Sequence, residues 1–488
     1  MRIKRMYFYL ALALYMMNSD IFSSPPISAS EQEKSESDSK SSVKIALFDD
    51  PILKTLVGDA LKNRPELAQV QAFIKAEYDL IPQAGSLPDP VISFGIQNDG
   101  FQKIQVGIME TSWISIMASQ TIPWFGKLGL RSDSARYNAQ QAETDLKRIY
   151  LSVQAEVERA YIDLLLVRDQ LSLITKLENI WTQAEGIARV RFETGNGSQS
   201  DLLRTQLERS RLRQRRLILE AGERQKVTVL NRLCGHQMDE KIETTQSLFD
   251  LQDPDLPELI PSLADAEARS PEVEKARLLM EQAELGVELA RKEYFPDFNL
   301  GFGIMPRGEK FDPMWQAEIS VTLPIWSWNK LSHAVSENEA RRTVASSSLE
   351  VVKQLLKQRV RERLVMLEAL IETNRLYRSE LLIQSEATVK STMSQYQVGN
   401  VTFSSVLETI AGYLSDLNVY LDSVSLTQKI AIAHREISLD DIIGAMQGEF
   451  SGTSMPGAGG MRPSTSRNTK SSASSAGDNA PSSSMSQM

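Results

Sequence analysis

From Lys127 to Thr194, and again from Lys330 to Val398, the chain runs about 70 residues without a proline. In the first run Val153, Val157, Ala160, Leu164, Val167, Leu171 and Ile174 step alternately by four and three. In the second, Leu349, Val352, Leu356, Val360, Leu364, Leu367 and Ile371 step nearly as regularly. A sustained 3.5-residue repeat keeps its seam against a partner only if the helices supercoil left-handedly. At 1.5 Å per residue each run makes a rod of roughly 100 Å, longer than an ordinary globular domain needs.

Both rods belong to a larger echo. LPDPVISFGI (87–96) returns as FPDFNLGFGI (295–304), RPEL (64–67) as SPEV (270–273), QTIPW (120–124) as VTLPI (321–325), and RFETGN (191–196) as QYQVGN (395–400), always in the same order. The chain is a tandem duplication of a unit of about 200 residues, far longer than a solenoid repeat.

Each copy changes period in the same places. Phe298, Leu300, Phe302 and Ile304 alternate with Asn299, Gly301 and Gly303; Trp315, Ala317, Ile319, Val321 and Leu323 alternate with Gln316, Glu318, Ser320 and Thr322. Period two with one apolar and one polar side predicts strands. In the first copy Ile92, Phe94 and Ile96, then Ile114, Ile116 and Ala118, alternate in the same way. Each copy thus supplies one hairpin, with loops near 98–110 and 306–313. Pro88 and Pro296 stand where helix gives way to strand, and Pro123 and Pro324 where strand gives way to helix. Proline fixes φ, lacks a donor and biases its predecessor against helix. Gly195-Asn196 and Gly399-Asn400 end the rods, because both residue types tolerate the left-handed position after a helix. Ser198 and Thr402 follow as N-cap candidates for returning helices.

The expected organisation is a signal peptide over 1–29, an extension over 30–49, a first repeat over 50–250, a second over 251–440 and a tail over 441–488. The first repeat holds a helix, a hairpin at 90–120, a long helix 127–194, a turn 195–197, a returning helix 198–235 and an equatorial segment. The second holds a helix 262–294, a hairpin 298–323, a long helix 330–398, a turn 399–401 and a returning helix 402–436. The signal peptide rests on Arg2, Lys4 and Arg5 before an apolar run from Met6 to Met17, too short to span a bilayer. The tail is rich in Gly, Ser, Met and Pro and has too few large apolar residues to offset its ordering entropy. Its irregularly spaced methionines fit low complexity better than capture of a soft metal.

Composition excludes other classes. With 63 acids against 54 bases the chain has no nucleic-acid character. One cysteine, Cys234, rules out a disulfide framework, and His236, His333 and His434 lie too far apart for ligand spacing. Cys234-Gly-His236 has no third ligand nearby in sequence, so no metal or other cofactor is expected. No Ser/His/Asp arrangement stands out, and no enzyme is expected.

Two hairpins do not close a barrel, and open strand edges are not viable in lipid, so such strands must close with those of other subunits. Strands of about nine residues with one apolar face fit an outer-membrane barrel. Trp113, Trp124, Trp315, Trp326 and Trp328 lie in or just beyond the strands, as an interfacial aromatic belt does. A soluble antiparallel sheet with tryptophans in its core is the alternative the pattern leaves open.

These features together resemble the TolC-like outer-membrane efflux proteins. The resemblance covers about residues 50–440 and rests on RPEL at 64–67, the proline junctions, and the glycine turns with SQSDLL (198–203) and TFSSVL (402–407) after them. The stretch SQTIPWFGKL (119–128) is similar to that of the heavy-metal-cation branch. The resemblance implies a mainly α fold with a small β part. It implies a homotrimer whose four strands per chain make a 12-stranded barrel in the outer membrane of a Gram-negative bacterium, continued by an α-helical barrel across the periplasm. It implies passive export of small molecules or metal cations. The partners would be a periplasmic adaptor protein meeting the turns Gly195, Asn196, Gly399 and Asn400, and an inner-membrane pump of the resistance-nodulation-division type.

In the family, acidic residues facing the pore on the returning helix gate the tip. The matching positions are Asp201 and Ser405, then Arg204 and Glu408, with Ser405 replacing one expected acid. Ser198-x-x-Asp201 also reads as a helix cap. Two other functions stay open at this point: a conduit for protein secretion, and a periplasmic coiled-coil scaffold without a pore.

Overall fold

Proline and the residue before it set the element boundaries. The structure, a computed structural model, describes residues 50–441. The expected signal peptide, the extension and the tail from residue 442 lie outside the described residues. Asp50 opens α1 (Pro51–Asn63), accepting the Ile52 N–H at 2.9 Å and the buried Tyr161 hydroxyl at 2.5 Å. Arg64 is extended before Pro65, and α2 (Pro65–Gly85) follows. Strands β1 (Val91–Gln97) and β2 (Trp113–Ile122) lead to α3 (Lys127–Glu193) and α4 (Gln199–Cys234).

The second copy repeats this order with α5 (Leu259–Arg269), α6 (Pro271–Lys292), β3 (Asp297–Met305) and β4 (Met314–Thr322). The expected single helix 262–294 is in fact broken at Ser270. Proline excludes its predecessor from the α region, so Ser270 is extended, as Arg64 is. A π-helical turn, Ser327–Leu331, then starts α7 (Ser332–Leu376), and a second, Tyr377–Leu381, links it to α8 (Leu382–Val398). The chain ends its described part with α9 (Phe403–Glu436).

The first rod is one unbroken helix of 67 residues, about 100 Å at 1.5 Å per residue. The second is also helical throughout 330–398, but its turn at 377–381 is π-helical. From Lys330 to Gly399 the chain is one residue longer than from Lys127 to Gly195, and a π-bulge is how a helix absorbs one extra residue.

The four strands form one antiparallel sheet in the order β1-β2-β3-β4. Its register separates the two faces cleanly. Phe94 sits opposite Ile116, Ile116 opposite Ile304, and Ile304 opposite Trp315. One pleat over, Gly95, Ser115, Met117, Gly303 and Gln316 occupy the other face in the same crosswise pairing. Paired residues share a side, so an apolar face and a mainly polar, glycine-containing face each run across all four strands.

Helix α3 packs against α1, α2, α4, α6 and α9, so a single narrow seam cannot serve it. Val153, Val157, Leu164 and Ile174 of the expected seam are buried, and so is a second row of Glu158, Ile162, Leu165, Asp169 and Leu173. Buried charges on that second row are paired: Glu158 with Arg435, and Asp169 with the Leu248 N–H at 2.6 Å and Ser247 Oγ at 2.9 Å. Asp163 joins α3 to both returning helices through Lys226 at 2.6 Å and Lys429 at 2.5 Å. On α7, Leu356, Val360 and Leu364 pack with Ala266, Val273 and Ile437 in one cluster. Among the described residues no helix is long and apolar enough to cross a membrane.

Candidate functional site

The two glycine turns build matching tips. Gly195 and Gly399 take φ of +75° and +87°, where a side chain is strained. The Asn196 N–H donates to Arg191 O at 2.8 Å and the Asn400 N–H to Gln395 O at 2.9 Å. The Gly195 and Gly399 N–H groups donate to Phe192 O and Tyr396 O at 3.0 and 3.1 Å. Each pair satisfies the last carbonyls of its helix and leaves the turn exposed.

The tips are tied together by residues that sequence reasoning did not single out. The Arg191 guanidinium donates to Tyr396 O and, at 2.9 Å, to Asn196 O, and its carbon lies 4.7 Å from the centre of the Tyr396 ring. The Tyr396 hydroxyl donates to Asp201 Oδ2 at 3.1 Å, and its ring packs 5.5 Å from Phe403. Tyr396 is 1 % exposed. Burial, the Asp201 charge and the bond to it push the Tyr396 hydroxyl up to about 12, so it stays a donor at neutral pH. Arg191 and Tyr396 both stand inside the echo RFETGN/QYQVGN, which places an aromatic residue three positions before each glycine. That was the available signal.

The expected gate residues separate into three situations. Asp201 is half-buried and engaged: its N–H donates to Ser198 Oγ at 3.3 Å, as the cap reading required, while its carboxylate accepts from Tyr396. Ser405 instead shares a hydroxyl contact of 3.3 Å with Thr402. Arg204 and Glu408 are exposed and make no ion pair among the described residues.

At the other end of the rods the prolines lie between the elements they were expected to separate. Lys127 closes the junction there, a role not foreseen. Its ammonium is 1 % exposed and donates to Asp297 Oδ1 at 2.9 Å, Glu293 Oε2 at 3.1 Å and Phe295 O at 3.2 Å. The Trp124 N–H donates to the same Asp297 oxygen at 2.8 Å, and its ring stacks on Phe295 and Phe298. Trp315, Trp326 and Trp328 are exposed, the last two packed edge to face at 5.8 Å. Trp113 departs from the expected belt, because it pairs with Gln97 on the polar side of the sheet. The Cys234 thiol is fully buried and pushed up to about 12 by that burial, and His236 lies 3.2 Å from Asp59.

The sequence model of the outer membrane efflux protein family matches residues 56–236 and 263–429, once for each copy. The chain belongs to the outer membrane efflux protein family. It is an outer-membrane efflux channel protein with a large periplasmic helical part. Its fold is similar to that of the CmeC outer-membrane channel of Campylobacter jejuni, at 14% identity and a TM-score of 0.67, covering 88% of this chain and 97% of that one. It is similar to the open state of the MtrE outer-membrane channel of Neisseria gonorrhoeae, at 17% identity and 0.67, covering 86% and 97%. The third is CusC, at 20% identity and 0.68, covering 80% and 92%. No curated protein sequence aligns with the channel significantly.

Proposed function

We propose that three copies of the channel close their sheets into a 12-stranded barrel, and that their rods form a passive duct across the periplasm. One observation carries this reading: a four-stranded sheet with one continuous apolar face and, among the described residues, two unpaired edges, β1 and β4. In water such a sheet would expose a large apolar patch and two templates for aggregation. In lipid only closure satisfies its backbone. The apolar face meets hydrocarbon and the polar face lines a wet lumen. A scaffold without a pore has no use for that partition.

In this reading the duct is the exit of a tripartite pump. A periplasmic adaptor docks at the exposed tip turns around Gly195, Asn196, Gly399 and Asn400, and an inner-membrane pump of the resistance-nodulation-division type supplies the energy. The cargo is a small molecule or a metal cation. The narrow end is the ring of tips, where Asp201, Arg204, Ser405 and Glu408 face the axis and the contact of Arg191, Tyr396 and Asp201 holds the limbs together. Opening breaks that contact.

The test is recovery of the protein in the outer membrane after a high-salt wash, followed by single-channel recording in planar bilayers. Discrete conductance steps are expected, and Asp201→Asn with Glu408→Gln changes conductance or cation block. Release of the protein by salt, or a detergent-free soluble monomer, rejects the channel. An unchanged single-channel record in the double variant rejects the gate.

A further inference from the structure

The echo between the two copies runs on past the strands and there holds one unequal pair. Phe125-Gly126-Lys127-Leu128 returns as Trp328-Asn329-Lys330-Leu331, but Lys127 follows Pro123 by four residues and Lys330 follows Pro324 by six. Lys127 is buried and engaged by Asp297, Glu293 and the Phe295 carbonyl. Lys330, in the π-turn Ser327–Leu331, stays exposed, and its ammonium has no ion pair among the described residues. Both lysines line one cavity of about 300 Å³, beside the point where β4 gives way to that turn. This is within the size range of ligand sites.

The cavity lies where one solvent gives way to another. β4 ends at Thr322 and the second rod begins just after it, so this is the periplasmic end of the sheet, at the level where lipid headgroups meet water. Its wall continues the apolar face. Leu323 extends the alternation of Ile319 and Val321, and Phe295 stacks on Trp124, which stacks in turn on Phe298 opposite Val321. Trp326 also lines the cavity and lies exposed beside Trp328; indoles, apolar in body and polar at one edge, settle at that depth. The charges around it do not balance. Glu293 and Asp297 are both met by Lys127, and Arg131 lies 3.6 Å from Glu293. Lys330 is then without a carboxylate among the described residues, and so is Lys292, whose ammonium lies 5.8 Å from the centre of the Phe295 ring.

We propose that this cavity seats the headgroup of an anionic phospholipid from the inner leaflet of the outer membrane. Lys330 meets the phosphate, Lys292 adds to the positive field, and Trp326 lies against the glycerol. Basic pockets at a membrane surface take anionic headgroups in this way. A soluble anion suits the place less well, because it leaves Leu323, Phe295 and Trp326 without apolar company, whereas the acyl chains of a lipid run on from the headgroup along the same face. The two lysines thus divide the work that the duplication gave them: Lys127 holds the junction together, and its echo faces the membrane. The inference rests on the reading that the sheet lies in lipid and adds to it a ligand that fixes the depth at which the rods leave the membrane.

The test is a titration of the full chain, purified in a nonionic detergent, with short-chain phosphatidylglycerol, with phosphatidylcholine of the same chains, and with inorganic phosphate. A ligand of the folded state raises the unfolding temperature as it saturates. Phosphatidylglycerol is expected to do so at lower concentration than phosphatidylcholine, and inorganic phosphate not at all. Lys330→Gln should weaken the apparent affinity for phosphatidylglycerol about tenfold, the loss of one charge-assisted bond. Lys330→Arg keeps the charge and should keep most of the response, which separates loss of the ligand from damage to the fold. Lys310→Gln, in the loop at the opposite end of the sheet, should respond as the parent does. Equal responses to the two lipids, or a Lys330→Gln protein that titrates like the parent, overturn the site; a response to inorganic phosphate equal to that for phosphatidylglycerol overturns the lipid as its ligand. A protein that stays in the outer membrane after a high-salt wash yet ignores phosphatidylglycerol loses this site and keeps the channel reading, whereas one that salt releases loses both.

Discussion

Replacing Tyr396 with Phe removes one oxygen from the tip and leaves the rest of the contact in place. The ring stays packed 5.5 Å from Phe403 and 4.7 Å from the Arg191 guanidinium. What is lost is the hydroxyl bond to Asp201 at 3.1 Å. A hydrogen bond to a charged group contributes about 1.5–3 kcal/mol, and water reaches the half-buried Asp201, which argues for the lower end. About 1.4 kcal/mol is a tenfold change in an equilibrium, so each tip should open about tenfold more often. Three tips opening in concert would multiply that to roughly a thousandfold. Single-channel recording of both proteins in planar bilayers measures it as open probability. Burial and Asp201 raise the Tyr396 hydroxyl from its ordinary value of 10.0 to about 12. A raised folded value means the contact is fully present below pH 10 and is lost as pH climbs through about 12. Unmodified channels should therefore open in that alkaline window, and Tyr396→Phe should lack the step. A variant with unmodified open probability and an unmodified alkaline response would refute the reasoning.

Three further outcomes follow from the same geometry. Gly195→Ala should cost about 1–2 kcal/mol for a side chain in left-handed backbone, with open space around it, whereas the Cβ of Gly235→Ala would meet Asn63 at 2.7 Å and add an overpacking cost of about 1–3 kcal/mol. Thermal unfolding checks the order, and an equal or reversed ranking sinks it. Lys127→Met should lose roughly 2–4 kcal/mol, because Asp297 and Glu293 keep their charges without the ammonium; a variant as heat-stable as the parent would show that the junction is held by packing alone. Burial, with Arg363 nearby, lowers His434 from 6.5 to about 4. A lowered folded value means its contribution is present above pH 6.5 and lost as pH falls through about 4, roughly 3 kcal/mol in all. Denaturant titrations between pH 7 and 4 should show that loss, and His434→Gln should flatten it.

Much of the architecture was legible because it is written in local patterns. Proline marks each change between helix and strand, glycine followed by asparagine ends each rod, and the period of two in 315–323 states which side of a strand is apolar. The break at Ser270 was legible too, since SPEV repeats RPEL, yet the second copy was expected to run as one helix from 262 to 294. The π-turn at 377–381 has weaker signs: it follows from one extra residue between Lys330 and Gly399, which a seam tolerant of small drift conceals. Of the tip, the sequence supplied the glycine turns and the cap at Ser198. It did not supply Tyr396 as the partner of Asp201, because the two residues lie on different copies.

Period, punctuation and duplication are properties of neighbours along the chain, so the sequence alone determined the long helices, the hairpins and the tight tips. Pairing of distant side chains depends on how the two copies lie against each other. Only the tertiary structure decided that Arg191 and Asp201 meet on Tyr396, that Lys127 closes on Asp297, that Trp113 turns to the polar face, and that α3 needs two buried rows. Coiled-coil helices can slide and rotate against one another with little change in their apolar pattern, and the charges that fix their final register become neighbours only when the rods are packed.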